Sequence, residues 1–273
     1  MITKDTQLCM SLAARPGNFG TIFQNYLYQN LHLNFIYKAF TTDNLGDAIR
    51  GIRALNIRGC AISMPFKEAC IPMLNELDHS ADTIQSVNTI VNTKGNLKGY
   101  NTDYVAIERL LLDNNIDRNL RFALRGNGGM AKAVLAALYN NGYRNGTLIV
   151  RRAEVGEELG TKYGYDYQTD LNVEADLLIN ATPVGMANGA EANDLAFPRA
   201  VVEGAKVVFD VVALPVITPL IKLGQELGKE VILGSDVALI QSLEQFVLYT
   251  GVRPSKELIL EAQEYTRKTI AIL

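Results

Sequence analysis

Short β-branched or apolar runs alternate with amphipathic stretches along the whole chain, and that rhythm restricts it to α/β architectures. The runs "LCMSLAA", "NFIYKAF", "RGCAIS", "RFALRG", "TLIV", "ADLLIN", "KVVFDVV" and "VILG" are expected to be strands. Between them "FGTIFQNYLYQNL", "LGDAIRGIRAL", "DYVAIERLLLDNN" and "MAKAVLAALYNNG" are expected to be helices. A strand followed by a helix must return across a sheet face to reach the next strand, so parallel sheets built from βαβ units are expected. At 273 residues the chain exceeds what one hydrophobic core usually serves, which favours two domains over a single large α/β unit. The joint is expected near residues 100–120, where a long helix runs into the polar segment "DNNIDRN" before a new strand begins. After "VILG" two helices, residues 236–250 and 255–270, finish the chain, and the pattern alone does not say which domain they cover.

Composition narrows the function classes. A net charge of -3 leaves no basic footprint for nucleic acid or anionic lipid. No apolar run approaches the roughly 18 residues of a membrane span, and "MITKDTQLCM" lacks the basic and apolar regions of a signal peptide, so a cytoplasmic protein is expected. Cys9, Cys60 and Cys70 are odd in number and widely spaced, as buried reduced thiols would be, and with only His32 and His79 beside them no metal is expected. A small molecule is the expected partner, and the protein a monomer or homodimer.

The segment "RGNGGMAKAV" packs glycines between an apolar strand and a helix that ends at Gly142. That is the setting of a dinucleotide fingerprint: Gly126 permits the tight turn, Gly128 lets backbone approach a pyrophosphate, and Ala131 allows close helix–strand packing. Residues Gly126, Asn127, Gly128, Gly129, Met130 and Ala131 would then present free N–H groups to the phosphates. The competing account is a plain strand–turn–helix joint. At the end of the next strand, where NAD-binding units usually carry an acid for the ribose, "TLIVRRAE" presents Arg151 and Arg152. Two guanidiniums welcome a 2′-phosphate, so NADP is the expected cofactor; a solvated surface pair, with Glu154 near enough for a ribose hydroxyl, is the alternative.

Hydride transfer to or from an alcohol needs a proton carrier beside the reacting carbon. Lys67 in "CAISMPFKEA" begins a helix after a strand, in the crevice where α/β sheets bind ligands. In "GYNTDYVAI" the residues Asn101, Thr102 and Asp103 begin the long helix, and Thr102 or Asp103 is expected to satisfy its free N–H groups. Taken singly, Lys67 reads as a surface lysine and Asp103 as a helix cap.

Taken together, "SMPFKE", "SVNTIV", "GYNTD", "GNGGMA", "NATPVGM" and "LIQSLEQFVLYTG" fall in the order and spacing of the shikimate 5-dehydrogenase family, which the chain resembles over essentially its whole length. The resemblance implies a substrate domain of residues 1–102 completed by 236–273, and a Rossmann-type doubly wound NADP domain of residues 103–235. It places the family's catalytic lysine and aspartate on Lys67 and Asp103, and substrate contacts on Ser63, Asn88, Asn101 and Gln241. It places cofactor contacts on residues 126–131, Arg151, Arg152, Thr182, Met186, Val211 and Gly234. The family's Asn-Arg-Thr segment reads Arg151-Arg152-Ala153 here.

Two departures bear on the substrate. The serine pair that holds the shikimate carboxylate in the family aligns with Asn18-Phe19-Gly20, and its tyrosine after "D-x-V" aligns with Ala213. The resemblance is therefore to the shikimate dehydrogenase-like subgroup, with hydride chemistry retained and shikimate itself a weak substrate. Asn18 and Thr21 are the residues expected to bond a carboxylate in place of the serines, since Gly20 offers only backbone. The alternatives are an NAD-dependent quinate/shikimate dehydrogenase and a noncatalytic NADP-binding regulatory module.

Overall fold

The computed structural model describes residues 2–272, which form two compact units, one of residues 2–102 with 239–272 and one of residues 103–238. The division falls between Thr102 and Asp103 and again between Ala238 and Leu239.

The first unit is built on a six-stranded sheet in the order β2-β1-β3-β5-β6-β4. Its strands are β1 (Gln7–Leu12), β2 (Phe35–Phe40), β3 (Gly59–Ile62), β4 (Glu76–Leu77), β5 (Thr89–Thr93) and β6 (Asn96–Tyr100). α1 (Phe19–Asn30) and α2 (Leu45–Ala54) connect the parallel β1, β2 and β3, while the short α3 (Phe66–Ala69) and α4 (His79–Asp82) precede the hairpin. The strand period of two sorts the core. Met10, Leu12, Cys60 and Ile62 pack with Ile49 and Ile52 of α2, whereas Cys9 and Tyr37 pack with Phe23 and Leu27 of α1.

The all-parallel expectation fails here. β5 runs antiparallel to β3 and to β6, and the two-residue turn Lys94-Gly95 joins it to β6 as a hairpin rather than a crossover. Both turn residues have positive φ, 54° and 87°, the backbone that matches strand twist in a two-residue loop. Asn92 Oδ1 accepts the Gly95 N–H at 2.8 Å and closes the turn.

The second unit has the sheet order β12-β11-β10-β7-β8-β9, parallel throughout. Its strands are β7 (Phe122–Arg125), β8 (Gly146–Ile149), β9 (Asp166–Gln168), β10 (Leu177–Asn180), β11 (Val207–Asp210) and β12 (Glu230–Leu233). Its helices are α5 (Thr102–Asp113), α6 (Gly129–Asn140), α7 (Ala153–Tyr163), α8 (Arg199–Gly204) and α9 (Pro219–Glu226), of which α5 starts at the unit boundary. Counted from β7, the order is the doubly wound 3-2-1-4-5-6 arrangement, whose direction reverses between β7 and β10.

Helix α7 lies outside the apolar stretches singled out above for a packing reason. Its buried side uses Gly156 and Gly160, where a Cβ at 160 would stand 2.7 Å from the Tyr165 carbonyl oxygen, so close approach replaces apolar side chains and no 3.6-residue stripe shows in the sequence.

The last two helices, α10 (Gly234–Thr250) and α11 (Lys256–Ile270), cover the α1 face of the first sheet. Phe246, Tyr249 and Ala262 join Cys9, Phe23 and Tyr37 in one cluster, and Tyr265 packs on Tyr26 with ring centroids 4.7 Å apart. Tyr249 packs closely on Gly59 of β3, where a Cβ would stand 2.2 Å from its ring, and Arg58 Nε donates to the Tyr249 carbonyl at 2.9 Å. Overpacking of this kind typically costs about 1–3 kcal/mol. Gly59→Ala is therefore expected to lower the melting temperature by several degrees, and an unchanged melting temperature would show that α10 does not depend on that contact.

Candidate functional site

In the second unit every strand points its carboxyl end the same way, and the residues expected to hold a dinucleotide collect there. Gly126 follows β7 at φ 130°, and a Cβ on it would stand 2.7 Å from the Ala181 carbonyl oxygen, so both conformation and space demand glycine. At Gly128, the residue before α6, a Cβ would meet nothing within 4 Å. The open space therefore lies outside the protein, at a helix N-terminus, where a phosphate can approach. Gly129 begins α6, Ala131 is buried against the sheet, and Asn127 and Met130 are part-exposed. Gly234 begins α10, where a Cβ would run into the carbonyl of Val212.

Arg151 and Arg152 follow β8, both exposed, and neither makes an ion pair with another described residue. Arg152 is the N-cap residue of α7 without a side-chain cap bond. Glu154 is also exposed, in the first turn of that helix. Next to the glycine turn, Arg125 donates to the Ala196 carbonyl at 2.5 Å, and burial lowers its pKa below the ordinary guanidinium value. This half-buried charge inside an apolar strand was not singled out from sequence.

Thr182, Met186 and Val211 lie on two loops tied to each other. Val211 N donates to the Asn180 carbonyl at 3.0 Å and Ala187 N to the Leu214 carbonyl at 2.9 Å. Met186 is exposed, while Thr182 is held by Asn180 Oδ1, which accepts its backbone N–H at 3.0 Å and its hydroxyl at 2.6 Å. Behind these loops Asp210, at the end of β11, has no exposed surface. Its carboxylate accepts from Asn180 Nδ2 at 2.9 Å, Val212 N at 3.0 Å and Thr218 Oγ1 at 2.6 Å. Burial outweighs those bonds and pushes the carboxyl up to about 6.

In the first unit, Ser63 and Lys67 flank the start of α3, the lysine half-buried and the serine exposed. Lys67 is fixed through its backbone, because its carbonyl accepts the Val87 N–H at 2.9 Å. Asn88 and Asn101 belong to a buried polar cluster. Asn88 Oδ1 accepts the Thr102 N–H at 2.8 Å and the Thr89 hydroxyl at 2.8 Å, while Nδ2 donates to Thr102 Oγ1 at 3.0 Å. Asn101 donates its backbone N–H to Ser80 Oγ at 3.0 Å and its Nδ2 to the Ser86 carbonyl at 2.8 Å. The Thr102 N–H at the start of α5 is met by Asn88 Oδ1 from across the hairpin. Asp103 is the second residue of α5, 5% exposed.

Gln241 bonds Ser242 Oγ at 3.0 Å. One turn further on, Gln245, which sequence reading passed over, reaches Thr89 Oγ1 at 3.0 Å and carries the cluster into α10. At α1, Asn18 is exposed and makes no side-chain cap bond, and the Thr21 hydroxyl is buried without a partner. A Cβ on Gly20 would stand 3.4 Å from the hydroxyl of Tyr37, which is buried in the core beneath α1. Ala213 is part-exposed after β11. Among the described residues no group of His, Cys, Asp and Glu is arranged to hold a metal, and no helix is long and apolar enough to cross a membrane.

Asp210 yields a pH prediction. Its folded value lies above the ordinary 3.8, so its contribution to stability is whole below pH 3.8 and is lost as pH climbs through about 6, a difference of about 3 kcal/mol. Asp210→Asn is expected to raise the melting temperature at pH 8 and to lose that advantage towards pH 4. Melting curves with the same offset at both pH values would refute the assignment.

Comparison with known proteins agrees with this architecture. The family described as shikimate dehydrogenase substrate binding domain matches residues 20–90. A shikimate dehydrogenase-like protein of Haemophilus influenzae is 54% identical over 268 residues, covering 98% of this chain and 99% of the relative. The shikimate dehydrogenase (NADP(+)) of Pyrococcus abyssi is 35% identical over 242 residues, covering 87% of this chain and 89% of the relative. A solved shikimate 5-dehydrogenase-like protein, 54% identical, superimposes with a TM-score of 0.94 and covers 98% of this chain and 100% of its own. On whole-length identity and a shared two-sheet architecture, the chain belongs to the shikimate dehydrogenase family of oxidoreductases.

Proposed function

We propose that the protein transfers a hydride between NADP(H) and a ring hydroxyl or ketone of shikimate or a related hydroxy acid, and that it acts weakly on shikimate itself. The observation that carries the cofactor is the exposed, unpaired Arg151-Arg152 pair beside the glycine turn of a 3-2-1-4-5-6 sheet. Gly126, whose close approach to Ala181 leaves no room for a side chain, and Gly128, which faces open space, fit a pyrophosphate; the two guanidiniums fit a 2′-phosphate. The name of the Pyrococcus relative points the same way. Bound there, the nicotinamide supplies the hydride donor or acceptor.

The proton is the chain's own task. In this reading Lys67 Nζ exchanges it with the reacting oxygen, and Asp103 is the second catalytic group. Ser63, Asn88, Asn101 and Gln241 surround the ring hydroxyls. Asn88 and Asn101 have part of their bonding capacity committed within the protein, which fixes the direction of what remains and lowers the cost of ordering them on binding. At the acid end Asn18 and Thr21 stand where the family has a pair of serine hydroxyls, and Ala213 removes a phenol. Each buried polar atom of a substrate left unmatched costs roughly 1–3 kcal/mol, and that is the reason to expect weak use of shikimate.

Three experiments test this reading. Arg152→Ala should weaken NADP binding about tenfold or more, as the loss of one charge-assisted bond requires, and leave NAD nearly unchanged; calorimetry in which wild type binds both cofactors equally removes the arginine argument. Lys67→Ala and Asp103→Ala should each lose most turnover while NADPH affinity holds, and an unimpaired variant takes that residue out of the mechanism. In steady-state kinetics with shikimate and NADP, efficiency equal to that of ordinary family members would refute the altered acid site, whereas a gain in the Asn18→Ser/Gly20→Ser/Ala213→Tyr variant would support it.

A further inference from the structure

The motifs "NATPVGM" and "FDVVALP" contain three side chains that the reaction does not use: Asn180, Asp210 and, a few residues on, Thr218. None has exposed surface, so none can touch a bound molecule. Asn180 and Asp210 are register partners at the carboxyl ends of neighbouring strands β10 and β11. Asn180 spends its whole hydrogen-bonding capacity. Its Oδ1 takes the N–H and hydroxyl of Thr182, and its Nδ2 gives to the Val184 carbonyl at 3.1 Å and to Asp210 Oδ1 at 2.9 Å. Asp210 continues the chain to Val212 N and to Thr218 Oγ1, which itself accepts the Ile221 N–H at 3.2 Å and caps α9. Residues 181–187, residues 211–218 and the start of α9 are thereby tied to one buried carboxylate.

We propose that Asp210, acting through Asn180 and Thr218, is a positioning residue that holds the loops carrying Thr182, Met186 and Val211 in the geometry that receives NADP(H). The inference rests on the cofactor reading above. A fold needing only to fill this space would do better with an apolar residue, because replacing a buried ionic group by packed hydrophobic ones is often neutral or stabilising. What the carboxylate adds is direction: three bonds of fixed geometry to two loops and a helix start. Slack in those loops is paid back at binding, when they must be ordered.

The test compares NADPH binding, followed by fluorescence titration at pH 7.5, with melting temperature in Thr218→Val, Thr218→Ser and Asp210→Asn. Thr218→Val keeps the volume and loses the bond to Asp210, so NADPH affinity should fall about fivefold, as one hydrogen bond implies, while the KM for the acid substrate stays within about twofold. Thr218→Ser restores the hydroxyl and should restore affinity. Asp210→Asn should remain folded, melt no lower than wild type and still bind NADPH about threefold or more weakly. Folded Thr218→Val and Asp210→Asn with wild-type affinity would overturn the inference, and so would failure of both to fold, since the network would then serve the fold alone. If wild type itself shows no saturable NADPH binding, the cofactor reading fails and this inference falls with it. Weakening by Arg152→Ala together with unchanged Thr218→Val overturns only the positioning role.

Discussion

A sheet whose strands all run one way must bury both faces and return every connection over them. In the second unit this gathers the ends of β7, β8, β10 and β11 and the start of α10 along one edge, although the residues involved are spread from Gly126 to Gly234. Where the strand order reverses, the chain leaves β7 and β10 towards opposite faces, and Gly126 passes so near Ala181 that no side chain fits between them. That close approach is what the glycine turn is built around. The helix start at Gly128, the arginines after β8 and the loop at Thr182 are all placed relative to it.

Polar groups buried at these ends are costly, and the structure satisfies them through side chains rather than through further secondary structure. Asn180 and Asp210 do so in the second unit, and Asn88 with Asn101 does so in the first. The two arrangements share a logic. A carboxamide whose oxygen accepts a neighbouring loop's N–H has its orientation fixed before any ligand arrives. In the first unit the same cluster reaches Gln245 of α10, so the C-terminal helices are bound to the hairpin by hydrogen bonds as well as by the packing of Tyr249 on Gly59.

The start of α1 shows how neighbours are set by packing. Gly20 lies beside the buried Tyr37 of β2. Nothing local to "RPGNFGTIFQN" announces this, since the two residues are brought together by the packing of α1 on the sheet and not by any periodicity.

The sequence by itself determined the α/β class, the first three strands, most strands of the second sheet, and the glycine turn, because each is written in local spacing: alternating apolar runs, a glycine cluster between strand and helix, arginines at a strand end. The ordered motifs also carried the family. Other features depended on contacts distant in sequence and only the tertiary structure decided them. The β5–β6 hairpin turns on two positive φ angles at Lys94 and Gly95, which propensity alone reads weakly. Helix α7 packs two glycines of its buried side against Tyr165 and against Tyr167 of the next strand. The start of α5 is met by Asn88, fourteen residues back, and Asp210 finds its partners thirty residues before it and eight after. Hydrogen bonds to side chains leave no periodic trace, so which buried polar residue holds which loop is legible only once the strands are paired.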